Sequence, residues 1–187
     1  MKAKKVYEFR TSGEIVKMGK ETGKLDKDFY KVYIIKLRNY LTEQNINFEI
    51  MPLDDQLQIE IGFKEDIIID NLEFYDYINN PKFVKGIIFD KDLIIKTKEI
   101  TDLFKDLSFI DIYGNLVIEN TNISRIKYQI NISEIVFLKN SPLESFNKTK
   151  LKYLFDKEKY KIITGTVVDC YYEEFKNGKC DIKKYLK

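Results

Sequence analysis

Residues Asn115–Ile126 read NLVIENTNISRI, the clearest of four passages written to one pattern. Asp66–Tyr77 reads DIIIDNLEFYDY, Asp92–Leu103 reads DLIIKTKEITDL and Ile135–Phe146 reads IVFLKNSPLESF. Relative positions 2, 4, 9 and 12 are apolar in every copy: Ile67, Ile69, Phe74 and Tyr77; Leu93, Ile95, Ile100 and Leu103; Leu116, Ile118, Ile123 and Ile126; Val136, Leu138, Leu143 and Phe146. Apolar residues two apart predict a short strand with both side chains on one face. The next two, five and then three residues on, need a turn that swings the chain back to that face. A lone unit leaves this face in water, whereas stacked neighbours share a continuous core with a parallel sheet along one side. The second positions, Ile67, Leu93, Leu116 and Val136, step by 26, 23 and 20 residues, so Leu93, Leu116 and Val136 are expected in register. A weaker fifth copy is expected after a step of 24, with Tyr160, Ile162, Val167 and Cys170 in the four slots. Tyr171–Lys187 would then seal the end of the stack.

In Asn115–Ile126 the residues Leu116, Ile118, Thr121 and Ile123 match an L-x-L-x-x-N/T-x-L core. This resembles the leucine-rich repeat, in the short degenerate form of bacterial and phage proteins. Ser141 takes the Thr121 slot in the next copy and Gly165 in the weak fifth, and such hydroxyls would satisfy backbone groups in the turn. Leu72 and Lys98 occupy that slot in the first two copies, where irregular turns are expected. The resemblance covers residues 66–146, with an extension to 170. It implies an α/β fold, a short solenoid with a parallel sheet over residues 65–187. The alternative is a single α+β domain whose strands are alike by chance.

Upstream, Lys4–Arg10 alternates as a strand, and Gly13, Gly19 and Gly23 punctuate a polar loop. Asp26 is the expected N-cap of a helix over 27–43, with Phe29, Tyr33, Leu37, Tyr40 and Leu41 on one face. Ile46–Met51 and Gln56–Phe63 alternate as strands joined by a turn at 52–55. Residues 1–64 therefore read as a β-α-β-β cap.

Composition narrows the function. The 187 residues are 44% hydrophobic and 33% charged, which is globular. Every apolar run is shorter than the ~20 residues that span a bilayer, and MKAKKVYEF lacks the apolar core of a signal peptide. A cytoplasmic protein with reduced Cys170 and Cys180 is the expectation. The sequons at Asn122, Asn131 and Asn147 then carry no sugar. A net charge of +2 with alternating signs gives no concentrated basic face for nucleic acid. The chain has no His, which removes the commonest general base and zinc ligand. Two cysteines without His leave a structural zinc site short of its usual Cys and His ligands. No metal, cofactor or catalytic residue is expected.

In the repeat register, positions 3 and 5 point away from the core. Position 3 is Ile68, Ile94, Val117 and Phe137; position 5 is Asp70, Lys96, Glu119 and Lys139. Burying each position-3 side chain is worth about 1.5–3 kcal/mol, so the row represents roughly 6–12 kcal/mol. A stripe of that size is rarely left in water. It is covered either by the N-terminal helix, through Phe29, Tyr33, Leu37 and Tyr40, or by a protein partner. The expected partner site is Ile68, Ile94, Val117 and Phe137 as anchors, with Lys96, Glu119 and Lys139 supplying charge complementarity.

Other chemistries have residues to recommend them. Asp169, Glu174 and Lys176 echo the D…E-x-K spacing of metal-dependent nucleases, although the first acid is too near the E-x-K for converging strands. Tyr171 and Tyr172 with Lys176 and Lys179 could stack on single-stranded nucleic acid. Asp54-Asp55 reads as a turn. Finally, Phe9, Arg10, Gly13, Met18 and Gly19 resemble, at different spacings, the F-x-R-G…M-x-x-G opening of small AT-rich bacterial and phage proteins. That resemblance implies a mobile-element origin. The expected function is a non-enzymatic protein–protein interaction module, in one version a phage-encoded inhibitor of a bacterial defence or host complex. A nucleic-acid-binding protein is the alternative, and a metal-dependent nuclease the next.

Overall fold

The four quoted passages each form one strand of a single parallel sheet. The computed structural model describes residues 6–9, 15–18, 23–53, 57–126, 130–146, 150–151, 161–164 and 170–180. Strands β5 (Ile67–Ile69), β7 (Leu93–Ile95), β10 (Leu116–Glu119), β13 (Ile135–Lys139) and β14 (Lys161–Thr164) lie side by side in that order. Ile67 pairs with Leu93, Leu93 with Leu116, Leu116 with Val136 and Val136 with Ile162. The last pairing corrects the fifth copy. Ile162 holds relative position 2, where Tyr160 was expected, and not position 4, while Tyr160 and Val167 lie outside the described residues. A two-residue slip leaves every side chain on the same face, so alternation could not distinguish the two registers.

A second sheet runs alongside. It consists of β3 (Phe48–Leu53), β4 (Gln58–Phe63), β6 (Val84–Phe89), β9 (Phe109–Ile112) and β12 (Asn131–Ile132). β3 and β4 form an antiparallel pair; the rest are parallel. The first sheet is therefore parallel and the second mixed, and with few helices the class is α/β. Each pass of the chain enters the second sheet, turns, enters the first, and crosses back by a third side. That side is helix α2 (Leu72–Ile78), then β8 (Asp102–Leu103), then β11 (Arg125–Ile126), then a 3-10 turn (Pro142–Ser145). β8 and β11 pair in parallel, Leu103 against Ile126.

The core lies between these sides and collects most of the expected slots, with Tyr77 and Phe146 only partly buried against it. Ile67, Ile69, Leu93, Ile95, Leu116, Ile118, Val136 and Leu138 are buried from the first sheet, and Phe74, Ile100, Leu103, Ile123 and Leu143 from the third side. The second sheet adds Ile59, Ile61, Phe63, Ile87, Phe89, Ile110, Ile112 and Ile132. Gly86 leaves room for the ring of Phe109, which a Cβ there would meet at 2.3 Å.

The turns use polar side chains to satisfy the backbone. Asn120 and Asn140 take positive φ, 55° and 50°, a conformation that asparagine tolerates. Thr121 Oγ1 accepts from Ile123 N–H and Ser141 Oγ from Leu143 N–H. In the first two copies the same role falls one residue earlier: Asn71 Oδ1 accepts from Phe74 N–H and Thr97 Oγ1 from Glu99 N–H. The first two turns thus differ from the later two, as expected from Leu72 and Lys98, and lack a positive-φ residue in the place of Asn120 and Asn140.

The N-terminal part departs from expectation in two ways. A strand, β2 (Ile15–Met18), pairs antiparallel with β1 (Val6–Phe9) where a loop was expected. Helix α1 spans Gly23–Glu43, so Asp26 is inside the helix and not its cap. β4 lies beside β6 in parallel, so the second sheet continues across residues 64 and 65. Of the expected turn at 52–55, Asp54 and Asp55 lie outside the described residues, as does Gln56 at the start of the expected strand. The apolar face of α1 is buried as read: Phe29, Tyr33, Leu37 and Leu41 pack into the core. Tyr33 and Phe83 stack at 5.0 Å, Tyr40 and Tyr77 at 4.3 Å, and Tyr33 Oη donates to the Tyr77 carbonyl at 2.7 Å. The helix thus covers the first pass, beside α2. Among the described residues no helix is long and apolar enough to cross a membrane.

Candidate binding face on the parallel sheet

Alternation along the first sheet aims Ile68, Ile94, Val117, Phe137 and Ile163 away from the main core. The sequence reading left this row to α1 or to a partner. Neither arrangement is found. Residues 170–180, with helix α3 (Tyr172–Lys176), lie across it, and Ile94, Val117, Phe137, Ile163, Cys170 and Tyr172 form a second buried cluster. Val117 and Phe137 have no exposed surface, and the Tyr172 ring sits 5.7 Å from that of Phe137. The chain's C-terminal segment therefore covers a side face and does not seal the end of the stack; residues 181–187 lie outside the described residues. Of the expected anchors only Ile68, at 51%, is open.

Polar contacts fix this cover in place. The first position of each pass builds a ladder: Asp66 Oδ1 accepts from Asp92 N–H, Asp92 Oδ1 from Asn115 N–H, and Asn115 Oδ1 from Ile135 N–H. α3 plugs into its open side. Tyr172 Oη donates to Asp92 Oδ2 at 2.8 Å and accepts from the Asn115 amide at 2.8 Å. Lys176 Nζ reaches Asp66 at 2.8 Å and Asp92 at 3.1 Å. Further along, Glu119 accepts from Tyr172 N–H. Lys96 lies 4.0 Å from Glu119 and 3.7 Å from Glu173.

These contacts shift the acids in opposite directions. Burial tends to raise the Asp92 carboxyl, but bonds from the Asn115 backbone, Tyr172, the Asn115 side chain and Lys176 outweigh it and hold Asp92 below the usual carboxylate range. Burial dominates at Glu119 and raises it, despite the Tyr172 N–H and the Lys96 charge. The hydrogen bond to Asp66, with the neighbouring Asp92 carboxylate, raises Lys176.

The expected charge row is divided. Glu119 is buried and Lys96 half-buried, while Asp70 is exposed. Lys139 lies over the Tyr171 ring at 5.1 Å. The uncovered strip is thus at the first pass, where Ile68 at 51% and Leu72 at 38% flank Asp70, next to Lys96. Leu72 was missed as a surface residue because it was read only as a departure in the turn slot. Its backbone N–H donates to Glu99 Oε2.

The residues suited to other chemistries are placed as follows. Asp169 lies outside the described residues. Glu174 Oε2 accepts from Tyr171 N–H, and Lys176 is held by Asp66 and Asp92. Tyr172 is buried, so its ring offers no face for a nucleobase. Cys170 and Cys180, expected as thiols, form a disulfide that closes the loop around α3. No family model, no curated protein and no solved structure matches this chain.

Proposed function

We propose that the chain is a non-enzymatic protein-binding module, built as a short leucine-rich-repeat-like solenoid. The observation that carries the reading is the in-register alignment of Ile67, Leu93, Leu116, Val136 and Ile162, with the position-2 and position-4 side chains of the first four passes buried in one core. Stacked units of this kind bury their own core and present an extended lateral surface. The proposed contact strip is Ile68 and Leu72 with Asp70 and Lys96, where the apolar row emerges from under residues 170–180. A protein partner suits it, since exposed aliphatic side chains beside charges of both signs favour a complementary polypeptide surface. The mobile-element origin implied by the N-terminal resemblance supports a bacterial defence or host complex as the class of partner.

The test is affinity capture from the source cell's lysate with wild type, Ile68→Asp and Ile35→Asp. Ile35, 58% exposed on α1 and not part of the strip, serves as the control. A specific protein should be recovered by wild type and Ile35→Asp but lost with Ile68→Asp. Equal recovery by all three removes the strip from consideration, and no recovery by any of them removes the protein-binding reading.

A further inference from the structure

We propose that in its dithiol form the protein carries a three-ligand site for a thiophilic divalent ion such as zinc, made by Cys170, Glu174 and Cys180. The ligand atoms of these residues all lie within 4.8 Å of one another. α3 brings them together. Cys170 stands two residues before the helix, Glu174 is in its first turn, and the chain doubles back through Gly178, at φ 71°, to deliver Cys180. Backbone bonds hold that return: Gly178 N–H donates to the Phe175 carbonyl and Lys179 N–H to the Glu174 carbonyl. The two sulfurs are therefore kept near each other by the fold as well as by the S–S bond. The Glu174 carboxylate is oriented by Tyr171 N–H at 2.8 Å.

The geometry suits a tetrahedral ion. Zinc binds sulfur at about 2.3 Å and oxygen at about 2.0–2.2 Å, which sets its ligand atoms roughly 3.5–3.8 Å apart. A cluster no wider than 4.8 Å reaches that spacing by small side-chain rotations once the S–S bond is open. Cys170 is buried, Cys180 half-buried and Glu174 exposed, so the fourth position faces water. Composition excluded a closed site of four Cys or His ligands. A site with one open position needs three donors, and the fold supplies Glu174 as the third.

The chemistry balances simply. A small dithiol passes two electrons to the Cys170–Cys180 bond and itself becomes a disulfide, leaving two protein thiols. Ion binding then releases both thiol protons to solvent as the thiolates ligate. Disulfide and ion use the same sulfurs and exclude each other. Either one closes the loop that lies over Ile94, Val117 and Phe137.

Composition also makes the test clean, since the chain has no His and no cysteine besides these two. The full chain, reduced with a thiol-free phosphine, is titrated with cobalt(II) and then back-titrated with zinc. One cobalt per chain with thiolate-to-metal absorbance is expected, absent from the oxidised chain and from Cys180→Ser. Loss of an outer-shell group alone costs about 10–100-fold in affinity, so Glu174→Gln should weaken binding about tenfold or more. The proposal is overturned if the reduced wild type shows no thiolate absorbance. It is also overturned by half an ion per chain, which would mean thiolates shared between copies, or by unchanged affinity in Glu174→Gln. Should Cys180→Ser fail to fold, the exposed Glu174→Gln variant decides.

Discussion

Phe137→Ala tests whether residues 170–180 cover the parallel sheet in solution. Phe137 is on the outward side of β13, so without the cover its truncation would be a surface change, within about 0.5 kcal/mol of neutral. In the structure it has no exposed surface and packs against Tyr172 at 5.7 Å. Truncating a fully buried Phe costs about 3–5 kcal/mol. For a chain of this size each kcal/mol moves the melting temperature by about 2–4 °C, so a drop of about 6–20 °C is expected. The decisive measurement is a double-mutant cycle with Tyr172→Ala, followed by urea denaturation. Residues in contact couple by about 0.5–3 kcal/mol, and once Tyr172 is gone the cavity at position 137 is partly open to water. The double variant should therefore be more stable than the sum of the single losses implies. Additivity within about 0.3–0.5 kcal/mol, or a single-variant cost below 1 kcal/mol, would refute the docking of α3 on this face.

Three further outcomes follow from the same packing. Leu116→Ala, which empties a slot between Leu93 and Val136, should cost about 2–5 kcal/mol in chemical denaturation, whereas Ile68→Ala should stay within about 0.5 kcal/mol. Gly86→Ala forces the Phe109 ring aside and should cost about 1–3 kcal/mol by the same assay; a neutral result would mean that β6 and β9 are not packed as described. The pH dependence has two parts of opposite sign. Asp92 is lowered in the folded state, so its contribution is present above the ordinary carboxylate value of about 3.9 and is lost as pH falls through its folded value. Glu119 is raised, so the folded state holds its proton more tightly and stability increases as pH falls through its folded value towards about 4.3. Urea midpoints at successive pH values should lose the acid-side fall in Asp92→Asn and the intermediate rise in Glu119→Gln.

The residues explain why part of this arrangement could be read from sequence. Ile67, Leu93, Leu116 and Val136 declare their register because each is followed two residues on by another aliphatic and then by a turn residue able to bond its own backbone. Beyond β3 and β4, which alternation indicates, the second sheet was hidden although it obeys the same steps: Phe63, Phe89, Ile112 and Ile132 are aligned and separated by 26, 23 and 20 residues. Its strands sit just before the marked passages, and the alternation in Ile87–Phe89 or Ile110–Ile112 is too short to stand out in a chain so rich in isoleucine. β14 was placed two residues early for the reason that a period of two cannot detect a shift of two. The cover over the outward row was the least legible element. Tyr172 and Phe175 form half of a short amphipathic pattern, and nothing local says which apolar surface they will meet. What selects the surface is polar and distant: Asp66 and Asp92 each spend one oxygen on the next pass, and the other oxygen of each is met by Lys176, with Tyr172 also on Asp92. Those pairs span 110, 84 and 80 residues. Docking α3 buries Asp92, and a buried carboxylate with an unfilled lone pair is costly, so Tyr172 and Lys176 offset at this one place the cost that docking imposes. Position 1 of the repeat, which carries no apolar signal and was not among the slots that define the pattern, therefore sets both the stacking and the site where the C-terminal segment docks.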